Sequence, residues 1–107
     1  MATRIGWCQP GDNLPETINL AGTPGAAAEP PRDASEARDL RWFRNMWLSN
    51  RDFLDLFERA LLADPAGWPA PGIVVNGMSA NRDMGWDIET TRRLIGYRPQ
   101  DDLWAHV

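Results

Sequence analysis

Few side chains in this sequence could do chemistry, and they are scattered. Ser79 lies in Gly77-Met78-Ser79-Ala80-Asn81, which has the outline of a nucleophile elbow, but Asn81 stands where the second glycine belongs. No histidine or acid is spaced to activate the hydroxyl, so serine hydrolysis is disfavoured. Cys8, the single cysteine, sits beside Trp7 and reads as a small buried hydrophobe rather than a nucleophile. His106, the single histidine, is one residue from the C-terminus and reads as solvated. One cysteine and one histidine leave no zinc set and no internal disulfide, which fits a reducing, cytoplasmic compartment.

Charge narrows the partners. The net charge of −4 offers no electrostatic footprint for a phosphate backbone, and Arg92-Arg93 is the one adjacent basic pair, so no nucleic acid is expected. No apolar run approaches the roughly 20 residues of a membrane span, and the first residues lack a basic-then-apolar leader pattern. With 43% apolar residues and six tryptophans the chain should pack one modest core.

The elements that would position these groups follow from local signals. Ile5 to Cys8 is a very short apolar stretch. Residues 9–38 are so rich in Pro, Gly and Ala that an irregular or mobile segment is expected. Ser35 to Arg44 favours a helix of a turn or two, with Ser35 as its cap. Ser49 and Asp52 form an S-x-x-D capping-box pattern ahead of apolar residues at helical spacing, which predicts a helix over residues 50–63, stopped by Asp64-Pro65-Ala66-Gly67. Gly72 to Asn76 reads as a buried strand, with the Asn45–Leu48 segment as its expected partner. Asp87 and Gly96 frame a last helix. Trp42, Trp47, Trp86 and Phe53 read as packing residues, and Ser49 and Asp87 as caps. The order from residue 45 is strand, helix, strand, helix. Two short strands do not make a stable sheet alone, so this α/β unit needs a neighbour.

Four stretches then occur in a telling order: Arg4-Ile5-Gly6-Trp7-Cys8, Met46-Trp47-Leu48-Ser49-Asn50-Arg51-Asp52, Asn76-Gly77-Met78-Ser79-Ala80-Asn81, and Trp86-Asp87 leading to Leu94-Ile95-Gly96-Tyr97-Arg98-Pro99-Gln100-Asp101. Together they cover most of the chain outside residues 9–38. They resemble the C-terminal third of extended short-chain dehydrogenases/reductases of the NAD-dependent epimerase/dehydratase type, nearest the uronate dehydrogenase branch. The resemblance implies an α/β fragment of a Rossmann-like enzyme, with two or three short strands and two to three helices. Residues 1–8 would be the last strand of the Rossmann part, 9–44 a loop and short helix, and 45–107 the substrate-side subdomain, with Met1 an internal start.

In that family a Gly-rich turn holds NAD or NADP and a Tyr-x-x-x-Lys pair moves the proton. Here the single tyrosine, Tyr97, is followed by Arg98-Pro99-Gln100-Asp101 and the sequence contains no lysine, so no catalytic residue is assigned. The resemblance implies that Ile5 and Gly6 border the cofactor and that Trp7 and Cys8 border the substrate. Uronate dehydrogenases have a small serine where Trp7 stands; tryptophan fills that space and removes a hydroxyl. An arginine just before the Trp-x-Ser motif, Arg41 or Arg44, would bind a substrate carboxylate through its planar fork. The expected function is therefore the substrate-binding portion of an NAD-dependent sugar or sugar-acid oxidoreductase or epimerase, inactive and not binding dinucleotide by itself. Its partner would be a separate Rossmann-half polypeptide. The alternative is a small homo-oligomeric, non-enzymatic binding module that covers its exposed sheet edge with another copy.

Overall fold

The β-branched run predicted as a strand forms β2, Val74–Gly77, but its partner is the N-terminal β1, Ala2–Ile5. The two strands run parallel, with Ala2 opposite Val74 and Ile5 opposite Gly77. This corrects the pairing expected with residues 45–48, which touch the sheet differently. Trp7 N–H donates to the Met46 carbonyl at 2.6 Å, Leu48 N–H donates to the Trp7 carbonyl at 2.9 Å, and Ser79 N–H donates to the Trp47 carbonyl at 2.9 Å. Segment 46–48 thereby ties the continuation of β1 to the continuation of β2, with a single bridge between Trp7 and Trp47. The computed structural model describes residues 1–107, in the order β1, α1 (Ala34–Asn45), α2 (Asn50–Leu62), β2, α3 (Glu89–Ile95).

Helix α1 has 12 residues, longer than the turn or two expected, and its cap is Asp33 rather than Ser35. The Asp33 carboxylate accepts the Glu36 N–H at 2.9 Å, and Glu36 reaches back to Arg32. Helix α2 begins where the sequence places it, with Ser49 Oγ accepting the Asp52 N–H at 3.1 Å. The reciprocal half of the capping box does not form. Ser49 N–H donates instead to Ser79 Oγ at 2.9 Å, and the fully buried Asp52 carboxylate accepts the N–H groups of Gln100 (2.7 Å) and Asp101 (3.1 Å). The cap position of α3 is Ile88 rather than the expected Asp87, but Asp87, one residue ahead, still reaches into the first turn and accepts the Thr90 N–H at 3.1 Å, and Gly96, at φ +78°, ends the helix.

The main core joins Leu48, Leu56, Ile73, Val75, Ile95 and Tyr97, and the Tyr97 hydroxyl donates to the Met78 carbonyl at 2.7 Å. A second cluster, Ile18, Trp47 and Leu103, is flanked by Trp7, Phe43 and Trp104. It roots the long Pro/Gly-rich segment, which is irregular apart from a 3-10 turn at Pro15–Thr17 until α1 begins. Buried amides anchor this segment: Asn13 Nδ2 donates to the Leu48 carbonyl at 2.6 Å, and Asn13 Oδ1 accepts the Gln9 N–H at 2.6 Å. Asn13 takes a left-handed φ of +54°, which asparagine tolerates better than most residues. Of the four aromatic packing residues, Trp47 is buried and Phe53 stacks on Phe57, while Trp86 is half-buried. Trp42 packs its ring against Trp86 while remaining 51% exposed.

Candidate substrate-side site

Three segments converge at Gly6, the residue after β1. Gly6 N–H donates to the Gly77 carbonyl at 2.8 Å, and a Cβ on Gly6 would lie 2.0 Å from the Met46 carbonyl oxygen and 2.9 Å from Met78 Cγ. The glycine is therefore required by the close approach of segment 46–48. Beyond it Trp7 leans edge-on against Phe43 of α1 at 5.1 Å, with its ring edge against the Gly22 turn. Ile5, Gly6 and Trp7 line one open cleft of about 390 Å³ together with Arg4, Met46, Met78 and Trp86. The last four were not anticipated as site residues, although each lies in one of the stretches that carry the family likeness. The Trp86 indole N–H is buried without a hydrogen-bond partner.

Arg41 and Arg44 do not enter that cleft. They lie three apart on one face of α1 and line a separate groove with Pro31, Arg38, Leu40 and Trp104. Their states differ. Arg41 pairs with Asp83 at 3.6 Å and its guanidinium lies over Trp104, 4.8 Å from the ring centre. Arg44 is half-buried, and its Nε is buried with no hydrogen-bond partner.

Cys8 corrects the expectation of a buried hydrophobe, since the residue as a whole is exposed. Its sulfur turns inward, 3.6 Å from the Leu48 carbonyl, and burial pushes the thiol pKa above its ordinary value. That favours an inert thiol over a nucleophile. Ser79 is fully buried and its hydroxyl accepts the Ser49 N–H, so it serves the α2 entry. His106 is exposed, its ring 6.0 Å from that of Trp47.

A dinucleotide needs a helix N-terminus whose N–H groups are free to meet a pyrophosphate. In this chain the first turns of α1 and α3 are capped by the Asp33 and Asp87 carboxylates, and that of α2 by Ser49. Two of the three starts thus present negative charge and the third is already satisfied. The helix starts present in this chain do not fit the pyrophosphate. No group of three His, Cys, Asp or Glu side chains comes together to hold a metal ion, and no helix is long and apolar enough to cross a membrane.

No family model and no solved structure matches the chain. Among curated proteins it is 32% identical over 99 residues to L-arabinose 1-dehydrogenase (NAD(P)(+)) of Haloferax volcanii, an alignment covering 92% of this chain and 32% of that protein. The chain thus spans about a third of the length of the curated relative it matches. The similarity relates this α/β chain to NAD(P)-dependent sugar dehydrogenases.

Proposed function

We propose that this chain is the substrate-side part of an NAD(P)-dependent dehydrogenase of the extended short-chain type, acting on an aldose or the corresponding uronic acid. The observation that carries the reading is a likeness to a sugar dehydrogenase along nearly the whole chain, 99 of its 107 residues. Residues 1–8 supply the strand that borders the nicotinamide through Ile5 and Gly6, 9–44 the loop and helix beside Trp7 and Cys8, and 45–107 the substrate-side subdomain. The cofactor, NAD or NADP, is held by residues outside these 107, so the chain by itself does not catalyse.

If the substrate carries a carboxylate, Arg44 is its ligand. Arg41 is already engaged by Asp83 and Trp104, whereas Arg44 keeps a buried donor without an acceptor, a state costing about 1–3 kcal/mol. A bidentate anion would relieve it. Trp7, in the place of a serine, favours a smaller or less polar sugar.

The test is a substrate panel of L-arabinose, neutral hexoses and hexuronates, run on the chain joined to a dinucleotide-binding segment, following reduced cofactor. For a uronate, Arg44→Lys keeps the charge but loses the fork and lowers kcat/KM by about tenfold or more, while Arg41→Lys is nearly silent. Turnover of neutral aldoses alone, insensitive to both changes, removes the carboxylate role and leaves the aldose reading. A panel without turnover, with the purified chain sedimenting as a discrete oligomer, supports the non-enzymatic module, a reading favoured by the uncovered edge of β1.

A further inference from the structure

The cleft at the end of β1 is one-sided in its hydrogen bonding. Its lining is Ile5, Trp7, Met46, Met78 and Trp86 with the backbone of Gly6, and Arg4 is the one charged residue among them. Every strong polar side-chain group in that lining is a donor, namely the Arg4 guanidinium and the two indole N–H groups. No carboxylate, amide or hydroxyl side chain is present, and a methionine sulfur accepts only weakly. Arg4 is also uncommitted, since the six ion pairs of the chain all use other arginines. The volume, about 390 Å³, falls within the roughly 300–1,000 Å³ of small-molecule sites.

Helix α1 holds both indoles in place. Its neighbouring residues Trp42 and Phe43 each meet one of them: Phe43 lies edge-on to Trp7 at 5.1 Å, and Trp42 lies 5.7 Å from Trp86 with the rings tilted by 49°. Met46 and Met78 are unbranched and polarisable, so they adjust to a neighbouring ring and contact it favourably through sulfur. The Trp86 N–H is buried with no acceptor in the chain, and a ligand oxygen would meet it only if the ring turned. Arg4 is exposed and needs no such movement.

A cationic, donor-only lining on an apolar aromatic cleft selects its ligand. A sugar brings hydroxyls that must donate as well as accept, and here they would leave water without finding a side-chain acceptor. Oxidised nicotinamide brings a positive ring towards Arg4 and an amide N–H that also needs an acceptor. A carboxylate only accepts, and a guanidinium binds it through two parallel N–H···O bonds. A flat ring makes the contacts that indoles and thioethers favour. We propose that this cleft is a binding site for an aromatic carboxylic acid, with the ring against Trp7 and Trp86 and the carboxylate on Arg4. The cleft shares Ile5, Gly6 and Trp7 with the residues given above to nicotinamide and sugar, so the acid excludes both; the site itself does not depend on that function.

The test is NMR on the isotope-labelled chain, following the indole N–H resonances of Trp7 and Trp86, each assigned by its phenylalanine variant, during titration with cinnamate. Both resonances are expected to shift saturably, with a Kd on the order of 1 mM for so small a ligand. The neutral cinnamyl alcohol should bind about fivefold more weakly or worse, and Arg4→Gln should bring the acid down to the level of the alcohol. Arg38→Gln, at an exposed arginine outside the cleft, should change nothing. Equal binding of acid and alcohol, a response unchanged by Arg4→Gln, or shifts with acetate or glucuronate as large as those with cinnamate would overturn the proposal. So would the absence of any shift up to about 20 mM acid. A chain that binds cinnamate in this way, yet supports no sugar-dependent cofactor reduction when joined to a dinucleotide-binding segment, contradicts the function proposed above and leaves the site standing. Turnover by a chain that does not respond to cinnamate does the reverse.

Discussion

Replacing Asp52 by alanine is expected to loosen the whole C-terminal tail. The carboxylate is fully buried at the start of α2 and accepts two backbone N–H groups, from Gln100 at 2.7 Å and Asp101 at 3.1 Å. Hydrogen bonds to a charged group contribute about 1.5–3 kcal/mol each. Gln100 is exposed and Asp101 half-buried, so water can recover part of the loss at both donors. The net cost of Asp52→Ala should then be about 3–4 kcal/mol, and that of Asp52→Asn, which keeps one acceptor, about 1–2 kcal/mol. Urea unfolding followed by tryptophan fluorescence measures both. With a slope of roughly 1–2 kcal/mol per molar for a small domain, the alanine variant's midpoint should fall by about 2 M at unchanged slope. If both variants unfold within about 0.5 kcal/mol of wild type, as ordinary surface changes do, the carboxylate does not hold the tail and the reasoning is wrong.

Other expectations are equally direct. Gly6→Ala should unfold the chain or cost about 3 kcal/mol or more, because its Cβ would lie 2.0 Å from the Met46 carbonyl; a wild-type melting temperature would refute the three-segment junction. Cys8 should react with iodoacetamide more slowly than a free thiol at neutral pH, with its rate profile displaced to higher pH, since burial raises its pKa; rapid alkylation at neutral pH would contradict this. The Asp87 carboxyl is held below its ordinary range first by the Thr90 hydroxyl and then by the Thr90 N–H. Its contribution to stability is present above the unfolded carboxylate pKa and is lost as pH falls through the depressed folded value. Thr90→Val should move the Asp87 titration, followed by carboxyl NMR, back up; an unmoved curve would show that the hydroxyl is not the cause.

How much of this was legible depended on whether a signal was local. Ser49 announced α2, and Asp87 with Gly96 framed α3, because caps act within one turn. At the start of α1 two caps compete, Ser35 and Asp33, and Asp33 followed three residues later by Glu36 carries the stronger capping signal. The pairing of β1 with β2 joins residues more than seventy positions apart, and no local pattern encodes it. Gln9, Asn13 and Asn19 sit among prolines and glycines where amides usually mark solvated turns, yet they are buried against Leu48 and the segment's own carbonyls. The division of the site residues between two places, Ile5 to Trp7 in a cleft and Arg41 with Arg44 in a groove, is a tertiary arrangement that spacing along the chain does not encode.

Under the proposed function this chain recognises a sugar and depends on other residues for its cofactor. Cofactor reduction measured in parallel for the chain alone and for the chain joined to a dinucleotide-binding segment, with L-arabinose and a hexuronate, tests it most directly. The expected result is no reduction by the chain alone and sugar-dependent reduction of NAD or NADP by the joined protein. Reduction by the chain alone, or a joined protein that binds the dinucleotide yet oxidises neither sugar, would contradict the account.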